Sequence, residues 1–74
     1  MKFNERLKEL RITSPYTQKQ LAEMLGISEV AYQNYEYGKR EPRLKSLIAL
    51  ADIFHVTLDY LVGRDFPEVS SDEH

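Results

Sequence analysis

The sequence predicts an all-α fold, a compact bundle of five helices. Three observations carry that reading. No segment keeps the strict apolar–polar alternation of a half-buried strand; apolar residues recur instead at helical spacing. Three of the recurring runs start beside a hydroxyl residue suited to capping a helix, at Thr17, Ser28 and Thr57. Glycines close the same runs at Gly26, Gly38 and Gly63, where a left-handed residue ends a helix at little cost.

Helix one, roughly Asn4–Ile12, carries Phe3, Leu7 and Leu10 on one stripe. It ends before "TSP", because the residue preceding Pro15 is pushed out of the helical region. Helix two is capped by Thr17, with Gln20 completing a capping box and Tyr16 and Leu21 placed as a hydrophobic staple. Leu21, Ala22 and Leu25 form its inner face, and Gly26 closes it. Helix three starts at Ser28, with Ile27 and Tyr32 in staple positions, and runs to Tyr37 before Gly38. Helix four, about Leu44–Phe54, repeats Leu44, Leu47, Ile48 and Ala51 as its apolar stripe. Helix five is short, from the Thr57 cap to about Val62, with Val56, Leu58, Leu61 and Val62 apolar. The remaining "RDFPEVSSDEH" is polar and Pro-broken, and is expected to fray. The expected organisation is one domain over residues 1–63 and an acidic tail over 64–74.

Seventy-four residues suit a single small domain near the lower end of what folds without staples. The absence of cysteine excludes a disulfide framework and thiolate metal sites, and fits a reducing compartment. The longest apolar run, Leu47 to Ala51, is too short to span a bilayer, and "MKFNERLKEL" has no apolar signal core. A cytoplasmic location is the expectation that follows. Net charge is −2, yet it divides unevenly. Residues 1–63 hold nine Lys/Arg against eight Asp/Glu, whereas residues 64–74 hold Arg64 against Asp65, Glu68, Asp72 and Glu73. Lys39, Arg40, Arg43 and Lys45 fall together, and a partner responds to this local field rather than to the sum.

The segment from Leu21 to Pro42 carries the functional argument. Helices two and three are separated by about three residues centred on Gly26, too few to let them lie antiparallel in full contact. Such a connection suits the steep crossing of a helix-turn-helix, over 17–37, and a close crossing explains the small Ala22 one turn earlier. Thr17–Gly63 resembles the phage-repressor/Cro-type (XRE-like) helix-turn-helix family. The resemblance rests on "TQKQLAEMLGIS", "NYEYGKREP" and "LIALADIFHVTLDYLVG", with Gln18, Ala22, Gly26, Ser28, Glu36, Gly38, Lys39 and Pro42 all in register. It implies a lambda-repressor-like DNA-binding domain that binds double-stranded operator DNA as a two-fold dimer and regulates transcription.

On that resemblance, helix three enters the major groove and presents Glu29, Val30, Gln33 and Asn34 to base edges. Gln33 and Asn34 offer the paired donor and acceptor that match adenine, and Val30 suits a thymine methyl. Glu29 departs from the family pattern; it either accepts from a cytosine amino group or only stabilises the helix start. The phosphate contacts are Gln18, Ser28, Tyr37, Lys39, Arg40 and Arg43, which supply affinity without sequence information. Gln18 would also brace helix three. Arg11 and Glu36 form the expected structural ion pair, against the alternative of two independent surface charges. Tyr32 and Tyr35 are expected to bury their rings and send their hydroxyls to the margin. Tyr60, Val62 and Phe66 are the dimer contacts by analogy. Arg43 stands where relatives carry a capping Ser or Thr, and His55 where they carry glycine.

No nucleophile–base constellation or paired carboxylate points to an enzyme. No cofactor, metal or small-molecule effector is expected, and His55 has no partners for a metal site. The competing class is a protein-interaction or antitoxin-like module that retains the fold; Glu29 and the acidic tail favour it.

Overall fold

The computed structural model describes residues 1–63, so the 64–74 tail lies outside the described residues. Five helices follow one another: α1 (Phe3–Ile12), α2 (Gln18–Leu25), α3 (Glu29–Tyr37), α4 (Leu44–Phe54) and α5 (Leu58–Leu61). Local chemistry explains most of their ends. The Thr17 hydroxyl accepts from the Gln20 N–H at 3.0 Å, and the Gln20 side chain accepts from the Thr17 N–H at 2.9 Å. Ser28 caps α3 through the Ala31 N–H at 3.0 Å, and Thr57 caps α5 through the Tyr60 N–H at 3.1 Å. α4 starts at Arg43 without a side-chain cap, as the missing Ser or Thr there implies.

Three helices end on the same six-residue closure. Ile27 N–H donates to the Ala22 carbonyl at 3.0 Å, Lys39 N–H to Asn34 at 2.9 Å and Val56 N–H to Ala51 at 3.0 Å. Each closure needs a left-handed residue. Gly26 supplies it between α2 and α3 at φ 73°, while His55 supplies it after α4 at φ 57° in spite of its Cβ. His, with Asn and Asp, enters this region more readily than other L residues, which is why the fold tolerates it there.

The core takes one fully buried side chain from every helix: Leu7, Leu21, Tyr32, Leu50 and Leu61. Ala22 and Ala51 fill the narrow places between them. Each of the leucines contributes about 1.5–3 kcal/mol by leaving water. α2 packs chiefly on α3, α3 also on α1, and α4 on α5. The stripe expected on α4 is corrected here. Leu44 and Ile48 are 61% and 47% exposed, and the buried face is Leu50 and Ala51, with Leu47 and Phe54 packed against the core. Both phases satisfy helical spacing, since Leu47 and Ala51 belong to each. Tertiary packing chooses between them: Leu50 joins Leu7, Leu21, Tyr32 and Leu61 in the core, and Leu44 stays on the outer face.

The N-terminus is fastened to α5. Arg6, buried to 7% exposure, donates from Nη1 to the Tyr60 carbonyl at 3.0 Å. Its guanidinium also lies 3.8 Å from the Tyr60 ring centre. Beside it, a Cβ on Gly63 would collide with the Met1 carbonyl oxygen, and Gly63 has φ 80°. Gly63 is therefore required for close approach as well as for helix termination.

Candidate nucleic-acid interface

The candidate surface is built on a buried carboxylate. Glu36 sits on the inner side of α3 at 6% exposure and accepts four hydrogen bonds from three helices. Arg11, in the last turn of α1, donates from Nε to Oε2 at 2.6 Å and from Nη2 to Oε1 at 3.1 Å. Tyr32 Oη donates to Oε2 at 2.7 Å, and Gln18 Nε2, at the start of α2, donates to Oε1 at 3.1 Å. Arg11 and Glu36 are thus one bidentate pair, not two independent surface charges.

Electrostatics follow from this geometry. Burial alone would raise the Glu36 carboxyl, but the hydrogen bonds from Arg11, Tyr32 and Gln18, with the Arg11 charge, hold it below its ordinary value. Arg11 is raised, mainly by its hydrogen bond to Glu36, which outweighs its desolvation. Burial first, then the bond to Glu36, pushes the Tyr32 hydroxyl up. That hydroxyl points inward, which corrects the expectation that both tyrosines send theirs to the margin. An unpaired buried carboxylate is costly, and the nearest spare donor one turn back on α3 is Tyr32. The Tyr35 ring is half-buried, edge-on to Tyr32 with centroids 6.3 Å apart.

With Glu36 and Tyr32 turned in and Tyr35 packed against the core, the remaining face of α3 carries Glu29, Val30 and Tyr37 in the open. Val30 and Tyr37 are 65% and 61% exposed. Glu29 and Ser28 are exposed, and Gln33 and Asn34 are half-buried. Glu29 occupies the first turn of α3, where a negative charge is favoured by the helix dipole. It makes no hydrogen bond or ion pair among the described residues. Gln18 has the bracing role that the resemblance implies: besides Glu36, its Oε1 accepts from Gln33 Nε2 at 3.3 Å.

The cationic turn is tied to the same helix. The Asn34 carbonyl accepts from the Lys39 N–H at 2.9 Å and the Arg40 N–H at 3.3 Å, folding the chain back over the end of α3. Lys39, Arg40 and Arg43 are exposed and form no ion pair among the described residues. Lys2 was not singled out from the sequence, being remote along the chain; it lines one open depression with Tyr37 and Arg40. Tyr60 is 42% exposed but has the Arg6 guanidinium on its ring, Val62 is half-buried, and Phe66 lies outside the described residues. Among the described residues, no group of three or more His, Cys, Asp or Glu side chains is placed to hold a metal ion, and no helix is long and apolar enough to cross a membrane.

Comparison with known proteins converges on one family. A helix-turn-helix family model matches residues 7–61. The chain is 41% identical over 71 residues to YonR, an SPbeta prophage-derived uncharacterized HTH-type transcriptional regulator of Bacillus subtilis, covering 96% of this chain and 66% of that protein. It is 39% identical over 64 residues to RstR, the cryptic phage CTXphi transcriptional repressor of Vibrio cholerae, covering 86% of this chain and 57% of that one. The chain therefore spans less than two-thirds of the length of these relatives. Among solved structures, the P22 c2 repressor in complex with a synthetic operator superposes with a TM-score of 0.80 at 31% identity, covering 88% of this chain and 98% of that one. A transcriptional regulator from Listeria innocua superposes at 0.81 with 29% identity, covering 97% and 70%. On the family match, the shared fold and the likeness to these regulators, the chain belongs to the Cro-type (XRE-like) helix-turn-helix family of transcriptional regulators, not to an enzyme family.

Proposed function

We propose that this chain is the sequence-specific DNA-binding domain of a cytoplasmic transcriptional repressor, acting as a homodimer on a palindromic operator. The observation that carries the reading is the outward face of α3, with Val30, Gln33 and Asn34 beside a turn whose Lys39 and Arg40 amides are bonded to the Asn34 carbonyl. Val30, Gln33, Asn34 and Glu29 read base edges in the major groove. Ser28, Tyr37, Lys39, Arg40 and Arg43 contact the phosphates, and Gln18 adds the free N–H of its amide. The complex of the P22 c2 repressor with a synthetic operator supports the docking mode by similarity. Tyr60 and Val62, with Phe66 in the tail, contribute the dimer contacts.

Gel shifts at two salt concentrations, with duplexes selected from a random pool, test the proposal. Three cationic contacts per protomer make six in a dimer, so affinity should fall on the order of a thousandfold between 50 and 200 mM salt. An adaptor that only binds protein, the reading that the exposed Glu29 would favour, gives no shift with any duplex.

A further inference from the structure

The side-chain relay behind α3 has a direction. Glu36 is acceptor-only when ionised, and it lies at one end of the chain of contacts. Gln18 must therefore turn its amide nitrogen to Glu36, as it does at 3.1 Å. That leaves the Gln18 oxygen as the atom facing Gln33, so Gln33 must answer with its own nitrogen, which it does at 3.3 Å. The Gln33 oxygen has no partner among the described residues. No buried side-chain nitrogen or oxygen there lacks a hydrogen bond, so on this half-buried residue the unpaired oxygen reaches solvent. Reversing Gln33 would set two amide oxygens against each other. Reversing both amides would set the Gln18 oxygen against the buried carboxylate.

We infer that the Glu36–Gln18–Gln33 relay fixes Gln33 with its carbonyl oxygen outward, making it a reader of bases that carry an exocyclic amino group in the major groove. Adenine presents N6 and cytosine N4 as donors there, whereas guanine and thymine present oxygen acceptors. A keto edge would meet the Gln33 oxygen with another acceptor. Gln18 and Glu36 are positioning residues in this scheme and touch no base themselves. The inference rests on the proposed DNA-binding function and adds to it one preference, adenine or cytosine over guanine or thymine, at one position of each half-site.

Selection from a random duplex pool, followed by affinity measurements with every base substituted at every position of the selected site, tests it. The wild type should prefer adenine or cytosine by about five- to tenfold at the position that Gln33→Ala relaxes. Gln18→Met, which fills similar space without an amide, should relax the same position while leaving the others unchanged. A keto preference at the Gln33-dependent position, or no position changed by Gln33→Ala, overturns the relay while DNA binding stands. So does an unaltered preference in Gln18→Met. Failure of the wild type to enrich any duplex overturns the DNA-binding reading, and the relay's role falls with it.

Discussion

Glu36→Gln is the sharpest perturbation of the framework, because it keeps the side chain's shape and removes only its charge and half its acceptors. In the wild type, Oε2 receives the two shortest bonds, 2.6 Å from Arg11 and 2.7 Å from Tyr32. The glutamine oxygen should take that side, leaving its NH2 facing Arg11 Nη2 and Gln18 Nε2. Gln18 can reverse its amide and accept; Arg11 has only donors and cannot. Breaking a buried pair costs about 3–5 kcal/mol, and the 20% exposure of the Arg11 side chain places this case near the low end, about 3 kcal/mol. A domain this size has roughly 4–11 kcal/mol in all, so Tm should fall on the order of 12–24 °C. Urea titration followed by far-UV circular dichroism measures the loss, and a cycle with Arg11→Met isolates the pair. The depressed Glu36 carboxyl adds a pH signature. Its contribution is complete above the ordinary carboxylate range and is lost as pH falls through the lower folded value. The gap between wild type and Glu36→Gln should therefore narrow with acidification below about pH 4.5. A loss under about 0.5 kcal/mol at neutral pH, the size of an exposed pair, would refute the hub.

Three further substitutions probe the fold at other points. Gly63→Ala puts a Cβ against the Met1 carbonyl at φ 80° and should cost at least about 2 kcal/mol; an unchanged urea midpoint would show that the N-terminus does not pack there. His55→Gly relieves the left-handed strain at φ 57°, partly offset by glycine's larger unfolded-state entropy. A net gain of about 0.5 kcal/mol should appear as a small rise in Tm, and a fall would contradict the assignment of strain. Arg43→Ser should act in opposite directions on two readouts. The new cap on α4 stabilises by about 1 kcal/mol, while loss of one phosphate contact weakens DNA binding and lowers the salt slope by about one per protomer. An unchanged Tm would contradict the missing cap on α4, and an unchanged salt slope would remove Arg43 from the phosphate contacts.

Most of the fold is legible in the sequence because its boundaries are set locally. The Thr17–Gln20 box and the Ser28 and Thr57 caps act within three residues of themselves, as does the closing Gly26. The Arg11–Glu36 pair was reachable only through the family pattern, since nothing in composition ties residues so far apart. What escaped were choices made by packing. The α4 stripe could take either of two helical phases, and packing against Leu7, Leu21, Tyr32 and Leu61 selected the one that buries Leu50. Arg6 reads as an ordinary surface cation until α5 brings the Tyr60 carbonyl and ring to it. The inward turn of the Tyr32 hydroxyl depended on the unmet acceptors of Glu36, which only the folded arrangement reveals.

The claim that base reading and backbone affinity reside on separate parts of one surface is tested most directly by a specificity ratio. Affinity for a selected duplex over a random one would be measured for the wild type, Gln33→Ala/Asn34→Ala and Arg40→Ala, each confirmed folded by circular dichroism. The account predicts a ratio lowered by on the order of tenfold or more in the double variant, where only Glu29 and Val30 still meet base edges, and an undiminished ratio with lower affinity for both duplexes in Arg40→Ala. An unchanged ratio in the double variant would contradict it.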